Sequence, residues 1–151
     1  MIREAEIKDI PQMVSVVIKN DNSIKSDAEE EIMEIFFEKN GSFFVYEEDN
    51  QIVGFMGYKF KKWGGDDVYW AIWLYVDPDF KRKGIGTKLY ERIEDEVRKK
   101  GCRKIYLDVG NEEDHQEAIK FHLNNGFIQE AKLNDFWTDG EHCLLFSKRL
   151  A

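Results

Sequence analysis

A strand joined to a helix through a basic turn with two glycines, in residues 68–101, is the feature that most constrains the fold. Residues 68–76 are rich in aromatic and β-branched side chains, which predicts a strand, and Asp77-Pro78 ends it. Residues 85–100 have apolar side chains four positions apart, as in an amphipathic helix. The connection reads Lys-Arg-Lys-Gly-Ile-Gly. A strand, a turn and a helix in this order favour an α/β fold.

The rest of the chain continues this mixture of strands and helices. We predict strands at 2–5, 42–48, 51–61, 104–109, 127–133 and 141–150, and helices at 7–20, 26–39 and 113–125, the second opened by a capping box at Ser26–Glu29. Hairpins join the middle strands, whereas the two later helices are crossovers that allow parallel pairing. We therefore expect a mixed, mostly antiparallel sheet of about seven strands with about four helices, an α/β fold in a single domain of residues 1–151.

Charge and cysteine content narrow the classes of partner and compartment. The net charge of -8 argues against nucleic acid and is compatible with a cationic substrate, or simply with solubility. Cys102 and Cys143 lack the spacing of a disulfide framework or a metal site, so we expect no metal and a reducing cytoplasm. No apolar run has the length of a membrane span, and charges from the third residue onward argue against a signal peptide.

The glycine turn before the helix of residues 85–100 has the properties of an anion site. Gly84 and Gly86 allow the backbone to curl around a ligand, and the first amides of a helix point outward without internal partners. The helix dipole and the cations of Lys81–Lys83 favour a pyrophosphate there. The patterns of the P-loop and of the dinucleotide fingerprint are absent, since Leu89 stands where the latter needs a third glycine. The alternative is an ordinary solvated turn.

Four segments, in the right order, resemble the GNAT superfamily of acyl-CoA N-acyltransferases. They are Leu74-Tyr75-Val76-Asp77-Pro78 with Lys81-Arg82-Lys83-Gly84-Ile85-Gly86; Asn111 followed by Ala118 to Phe127; Ile2-Arg3-x-Ala5 with Asp9; and Ile52-Val53-Gly54-Phe55. Lys81 departs from the family's usual Gln or Arg. The resemblance spans nearly the whole chain, and it implies the GNAT fold and acetyl-CoA as cosubstrate.

The resemblance also implies which residues contact the cosubstrate. The backbone of Leu74, Tyr75 and Val76 is expected to bind the pantetheine arm. The pyrophosphate is expected on the turn and the helix start, formed by Lys81, Arg82, Lys83, Gly84, Ile85, Gly86 and Thr87. Asn111 is similar to a residue that contacts the pantetheine, and Ala118 and Phe121 are expected to flank the cosubstrate.

His122 stands where many members of the family carry a tyrosine that protonates the leaving sulfur. Neutral imidazole donates through one ring nitrogen and imidazolium through both. At the reference pKa, roughly a quarter of the rings are protonated at pH 7, so His122 is a candidate general acid. The alternative is a histidine that only packs beside the cosubstrate.

The sequence evidence for the site that binds the acceptor amine is weaker than that for the cosubstrate site. Residues 71–73 offer no carboxylate as general base, which leaves Asp66, Asp67, Glu38 or a chain of waters. The first two helices and the turns at 63–67 and 134–140 are expected to form the acceptor site. Its candidate contacts are Trp70, Phe136, Trp137, Asp135 and Asp139. These aromatic residues equally suit the core or a homodimer contact.

Three functions remain open at this point. The first is acetyl transfer from acetyl-CoA to a primary amine, of a small molecule or of a protein or peptide. The second is a non-catalytic module that binds acyl-CoA. This hypothesis stays open because residues 71–73 contain no glutamate as general base and because His122 replaces the usual tyrosine. A nucleotide-binding protein is a third reading, and it predicts stabilisation by ATP or NAD instead of CoA.

Overall fold

A computed structural model describes residues 1–110 and 112–151, and these contain a seven-stranded sheet. The strands are β1 (Ile2–Glu4), β2 (Gly41–Glu48), β3 (Gln51–Lys59), β4 (Val68–Val76), β5 (Lys104–Val109), β6 (Ile128–Thr138) and β7 (Glu141–Arg149). The helices are α1 (Ile10–Asn20), α2 (Lys25–Glu38), α3 (Ile85–Lys99) and α4 (Gln116–Asn124). Short 3₁₀ turns occupy Ile7–Asp9, Asn22–Ile24 and Pro78–Phe80. The predicted order of strands and helices is confirmed.

The sheet has the strand order β1-β2-β3-β4-β5-β7-β6. Its neighbours pair antiparallel except β4 and β5, which pair in parallel across the α3 crossover. The mixed, mostly antiparallel sheet expected from the sequence is therefore confirmed. The β2–β3 hairpin turns at Asp49 and Asn50, whose φ angles of 51° and 62° suit a tight two-residue turn.

Apolar side chains cover both faces of the sheet. On one face, Leu89 and Ile93 of α3 pack with Ile105 of β5 in a cluster that α4 also joins. On the other face, Met13 of α1 and Ile32 of α2 pack against the sheet. Among the described residues, no helix is long and apolar enough to cross a membrane.

The start of α2 differs from the prediction. The capping box expected at Ser26–Glu29 does not form, because the 3₁₀ turn Asn22–Ile24 runs directly into α2 and Ile24 occupies the capping position. Asp21 instead caps that 3₁₀ turn through the Ser23 N–H. The cap before α1 was not predicted: the Asp9 carboxylate accepts the Glu6 N–H at 2.8 Å.

Two later elements also have different bounds. Helix α4 begins three residues later than predicted, because residues 112–115 form a turn in which the His115 N–H bonds the Glu112 carbonyl. Strand β6 extends five residues beyond the predicted end at Leu133. Most of β6 is exposed at the edge of the sheet, so its length depends on pairing with β7 more than on burial, and its hydrophobic pattern is weak.

Candidate active site

Strands β4 and β5 separate towards their C-terminal ends. Their parallel pairing covers only Val68–Trp70 of β4 and ends at Trp70 opposite Tyr106. Strand β4 continues for six residues and β5 for three residues past that point. On its other side, β4 stays paired with β3 as far as Val76 opposite Gly54. Tyr75 and Val76 are therefore paired with β3 along one edge, while the other edge of Leu74–Val76 faces the gap between β4 and β5, which we call the opening.

A β-bulge at Trp73 explains why the strand turns away from β5. The pairing with β3 shifts register between Ile72 and Tyr75, and Trp73 has a φ of 49°. An extra residue on one strand bends that strand and increases its local twist. Strand β4 is dominated by β-branched and aromatic residues on both sides of Trp73, so no sequence signal marks the bulge.

Polar contacts from α1 hold the far end of β4. The Asn20 amide donates to the Val76 carbonyl at 2.9 Å, and the Lys19 ammonium lies 2.7 Å from the buried Asp77 carboxylate. Burial opposes the charge of Asp77, but Lys19 and the Asp79 N–H outweigh it and hold the pKa of Asp77 below its usual value. These contacts fix the strand end beside the opening, and no sequence pattern predicts them.

The turn between β4 and α3 curls as the glycine pattern predicted. Arg82 and Gly84 have left-handed φ angles of 66° and 77°. The Lys88 N–H is bonded to the Gly84 carbonyl, so the amides of residues 85–87 come before the hydrogen bonds of the helix itself. The side chains of Lys81–Lys83 are exposed around this turn. The arrangement combines outward amides, a helix dipole and exposed cations, as an anion site requires.

Helix α4 packs directly on this turn. A Cβ atom on Gly86 would stand 2.8 Å from Phe121 Cζ, so only glycine allows the ring of Phe121 so near to the start of α3. Ile119 and Phe121 pack against the same core cluster as α3. The predicted residues of the turn and of α4 are thus brought together beside the opening. Asn111, the other predicted contact, lies outside the described residues.

His122 lies among aromatic rings beside that contact. Its ring packs near those of Tyr90, Phe121, Phe127 and Phe146. Burial lowers the pKa of His122 from 6.5 to about 4. The expectation that a quarter of the rings are protonated at pH 7 is therefore wrong, because the aromatic surroundings disfavour the charge.

Tyr90 is the hydrogen-bond partner of His122, and it was not predicted as a site residue. Its hydroxyl oxygen lies 2.5 Å from His122 Nδ1, and the residue is 1% exposed. Burial and the charge of Glu94 raise the pKa of the Tyr90 hydroxyl far above its usual value. The signal in the sequence was its position four residues after Gly86, on the same side of α3.

The residues expected on the acceptor side are divided between two ends of the sheet. Trp70 is buried in a stack between Trp63 and Tyr106, and Asp67 pairs with Arg103. All of these lie near the start of β4. A strand rises about 3.3 Å per residue, so they are about 20–26 Å from the other end of β4 at Val76. Asp66 is at the same end. The turn at 63–67 is therefore not part of the opening.

Glu38 is also remote from the opening. It bonds the Asn40 amide and lies 4.0 Å from Lys59, which pairs with Trp70 near the start of β4. The carboxylate that does lie beside the bulge is Glu31 of α2, which accepts the indole N–H of Trp73 at 2.9 Å. Glu31 was not predicted, because no sequence pattern distinguishes it from the five other acidic residues of α2.

The aromatic pair of the β6–β7 hairpin lies nearer to the opening. Phe136 and Trp137 pack edge to face and are each about half exposed. Trp137 Nε1 is close to Gly110, just past the C-terminal end of β5. Asp135 is occupied within its own turn, since its carboxylate accepts the Gly140 N–H. A homodimer contact through this aromatic pair stays a prediction.

A family model now identifies the chain. The model described as "Acetyltransferase (GNAT) family" matches residues 9–127, which include the splayed strand, the turn and both helices around it. The chain belongs to the GNAT family of acetyltransferases. The resemblance inferred from the four sequence segments is confirmed.

Solved structures support the GNAT fold. A protein described as a GNAT-family acetyltransferase from Desulfovibrio desulfuricans has a TM-score of 0.92 at 20% identity, covering 100% of this chain and 99% of its own. An aminoglycoside 6'-N-acetyltransferase complexed with coenzyme A has a TM-score of 0.82 at 16% identity, covering 100% of this chain and 97% of its own. At these identities the likeness establishes the fold.

Among characterised proteins, this GNAT chain is similar to the S-(2-succino)cysteine N-acetyltransferase of Bacillus subtilis. The two are 26% identical over 93 residues, which cover 59% of this chain and 56% of the relative. The match thus spans little more than half the length of that relative.

Proposed function

We propose that this GNAT protein transfers an acetyl group from acetyl-CoA directly to a primary amine while both substrates are bound. The observation that carries the proposal is the open edge of Leu74–Val76, which leads to the curled turn and the amides at the start of α3. An extended pantetheine arm suits such an edge because it bonds to the backbone as an added strand does. The pyrophosphate then meets the amides of α3 and the cations around them.

The cosubstrate is expected to contact residues of β4, of the turn before α3 and of α4. Leu74, Tyr75 and Val76 bind the pantetheine, and Lys81, Arg82, Lys83, Gly84, Ile85, Gly86 and Thr87 bind the pyrophosphate. Ala118 and Phe121 flank the arm from α4, and Asn111 contacts it. The contact between Phe121 and Gly86 supports this assignment, because it joins the two binding elements at one point.

The chemistry needs positioning, stabilisation of an oxyanion and departure of a thiolate. The neutral amine attacks the thioester carbonyl, the C–S bond breaks, and the amine proton leaves to water. A backbone N–H near Val76 stabilises the oxyanion. His122 assists the sulfur as a neutral hydrogen-bond donor and not as an acid, because its low pKa leaves it uncharged at pH 7.

The acceptor amine is expected to approach from the α1–α2 face of the sheet. Trp73 and Tyr75 pack on that face next to the opening, and Glu31 lies against Trp73. A carboxylate beside two aromatic rings suits an ammonium group before it loses its proton. The Bacillus relative is named for an amino acid derivative as its substrate, which places free amino acids and their derivatives among the candidate acceptors.

A thiol-release assay with acetyl-CoA tests the proposal. The amine panel contains free amino acids, S-substituted cysteines, polyamines, an aminoglycoside and short peptides with free N-termini. We expect release of CoA above background with at least one amine, and formation of the acetylated amine by mass spectrometry.

A non-catalytic acyl-CoA-binding module is the second candidate. The low pKa of His122 favours it, because it removes the acid that was expected to help the sulfur leave. This candidate predicts saturable binding of acetyl-CoA without acetylation of any amine in the panel. Stabilisation by ATP or NAD in place of CoA contradicts both candidates.

A further inference from the structure

We infer that Tyr90 is a positioning residue, which fixes the proton of His122 on Nε2 and thereby presents that N–H to the departing sulfur. The inference rests on the proposed function for its effect on turnover. Its structural half, the tautomer of His122, can be tested without any catalysis.

The hydrogen bond determines the tautomer because both partners are neutral. Among residues 1–110 and 112–151, the buried Tyr90 hydroxyl is hydrogen-bonded to His122 Nδ1, at 2.5 Å. A buried hydroxyl needs an acceptor for its proton, and a neutral imidazole has one nitrogen with a free lone pair. Tyr90 therefore donates, Nδ1 accepts, and the ring proton of His122 lies on Nε2.

The surrounding charges keep this arrangement in place. Glu94, one turn after Tyr90, disfavours a phenolate, and its own carboxylate is held by Lys148 at 2.6 Å. Lys148 also donates to the Asn125 carbonyl at the end of α4. Lys148 thus ties α3 to α4, and the Tyr90–His122 bond ties the same two helices one turn earlier on α3.

The position of the pair explains how it acts on the sulfur. Tyr90 lies inside the core, so the edge of His122 that carries Nδ1 points inward and the edge that carries Nε2 points away from Tyr90. Phe121, the neighbour of His122, packs on the start of α3 where the cosubstrate is expected. No proton is transferred: the Nε2–H donates a hydrogen bond to the thiolate as the C–S bond breaks, and water later supplies the proton of the free thiol.

Nitrogen-15 NMR of the imidazole tests the tautomer directly. In the wild-type protein at neutral pH, we expect His122 Nε2 to carry the proton and Nδ1 to have the shift of an unprotonated nitrogen. In Tyr90→Phe, which removes only the hydroxyl, we expect the two tautomers to mix. A wild-type ring that is protonated on Nδ1 overturns the inference.

A double-mutant cycle tests whether Tyr90 acts through His122. We expect Tyr90→Phe to lower kcat about tenfold, within the range seen when a partner that orients a reacting group is removed. The same change in a His122→Phe background is expected to have little further effect on kcat. Tyr58→Phe is the matched control, since Tyr58 is a buried tyrosine of the same core cluster on β3, and it is expected to leave kcat unchanged.

The outcomes separate this inference from the proposed function. A fall in kcat for Tyr90→Phe that is equal in both backgrounds shows a merely structural role and overturns the inference. If no amine is acetylated, the proposed function fails, whereas the NMR spectra still decide whether Tyr90 fixes the tautomer.

Discussion

Phe121 lies against Gly86 so closely that a Cβ atom on residue 86 would stand 2.8 Å from its Cζ atom. We predict that Gly86→Ala destabilises the protein by about 1–3 kcal/mol, because the ring and α4 must shift to make room. It should also weaken CoA binding, since both elements of the proposed site move. Urea unfolding and calorimetric titration with CoA measure the two effects.

A second substitution checks the cause of that effect. In a Phe121→Leu background the clash is relieved, so Gly86→Ala should cost much less or even stabilise, because alanine is favoured over glycine in a helix by about 1 kcal/mol. An equal loss of stability in both backgrounds contradicts steric contact with Phe121 as the cause.

The turn itself is tested by comparing two glycines with similar backbones. Gly84 and Gly101 have φ angles of 77° and 83°, and a Cβ at either meets nothing within 4 Å. Replacing either with alanine should cost about 1–2 kcal/mol of stability through backbone strain alone. Only Gly84→Ala should also raise the Kd for CoA, because Gly101 lies at the other end of α3. An equal rise in the Kd for CoA in Gly101→Ala would show that the turn at Gly84 is not part of the CoA site.

The pH dependence of stability tests the surroundings of His122. The folded protein holds the pKa of His122 near 4 against 6.5 for a free side chain, so the unfolded chain takes up a proton first as the pH falls. The contribution of His122 to stability is therefore complete above pH 6.5, the pKa in the unfolded chain. It is lost as the pH falls towards about 4, the pKa in the folded protein. Between about pH 7.5 and about pH 5 we expect a loss of about 2 kcal/mol. His122→Phe should remove that slope, and parallel curves for the two proteins would refute the low pKa.

The ion pair between Lys19 and Asp77 at the end of β4 can be tested by comparing the effects of two carboxylate substitutions on stability. Asp77 is buried and bonded to Lys19, whereas the Asp67 side chain, paired with Arg103, is 45% exposed. We predict that Asp77→Asn costs about 1–3 kcal/mol, as expected for a lost buried hydrogen bond to a charged group. Asp67→Asn should cost clearly less, because solvent screens a surface ion pair. Equal costs in thermal unfolding would show that Lys19 does not hold the strand end.

Regular elements of the fold were predictable because their signals are local. Strand β4 was predicted with its observed bounds from the composition of residues 68–76, and α3 ended within one residue of the predicted position. The curled turn at Gly84 followed from glycine and charge alone. Each of these depends on residues near to one another in sequence.

The missed features depend on contacts between distant segments. Lys19 and Asp77 are 58 residues apart, and Tyr90 and His122 are 32 apart. The left-handed Trp73 is imposed by pairing with β3, and no property of tryptophan indicates it. The low pKa of His122 likewise arises from burial among rings that include Tyr90 of α3 and Phe146 of β7, which periodicity cannot reveal.

The central claim is that CoA lies along the open edge of β4 and on the turn before α3, and backbone amide NMR during a CoA titration tests it most directly. We expect the amides of Leu74–Val76 and of residues 82–87 to shift with CoA, while those of Asp66, Asp67 and Gly101 stay in place. ATP at the same concentration should leave the amides of Leu74–Val76 unchanged, because it has no pantetheine arm. Shifts that spare both segments, or equal shifts with ATP along Leu74–Val76, would contradict the claim.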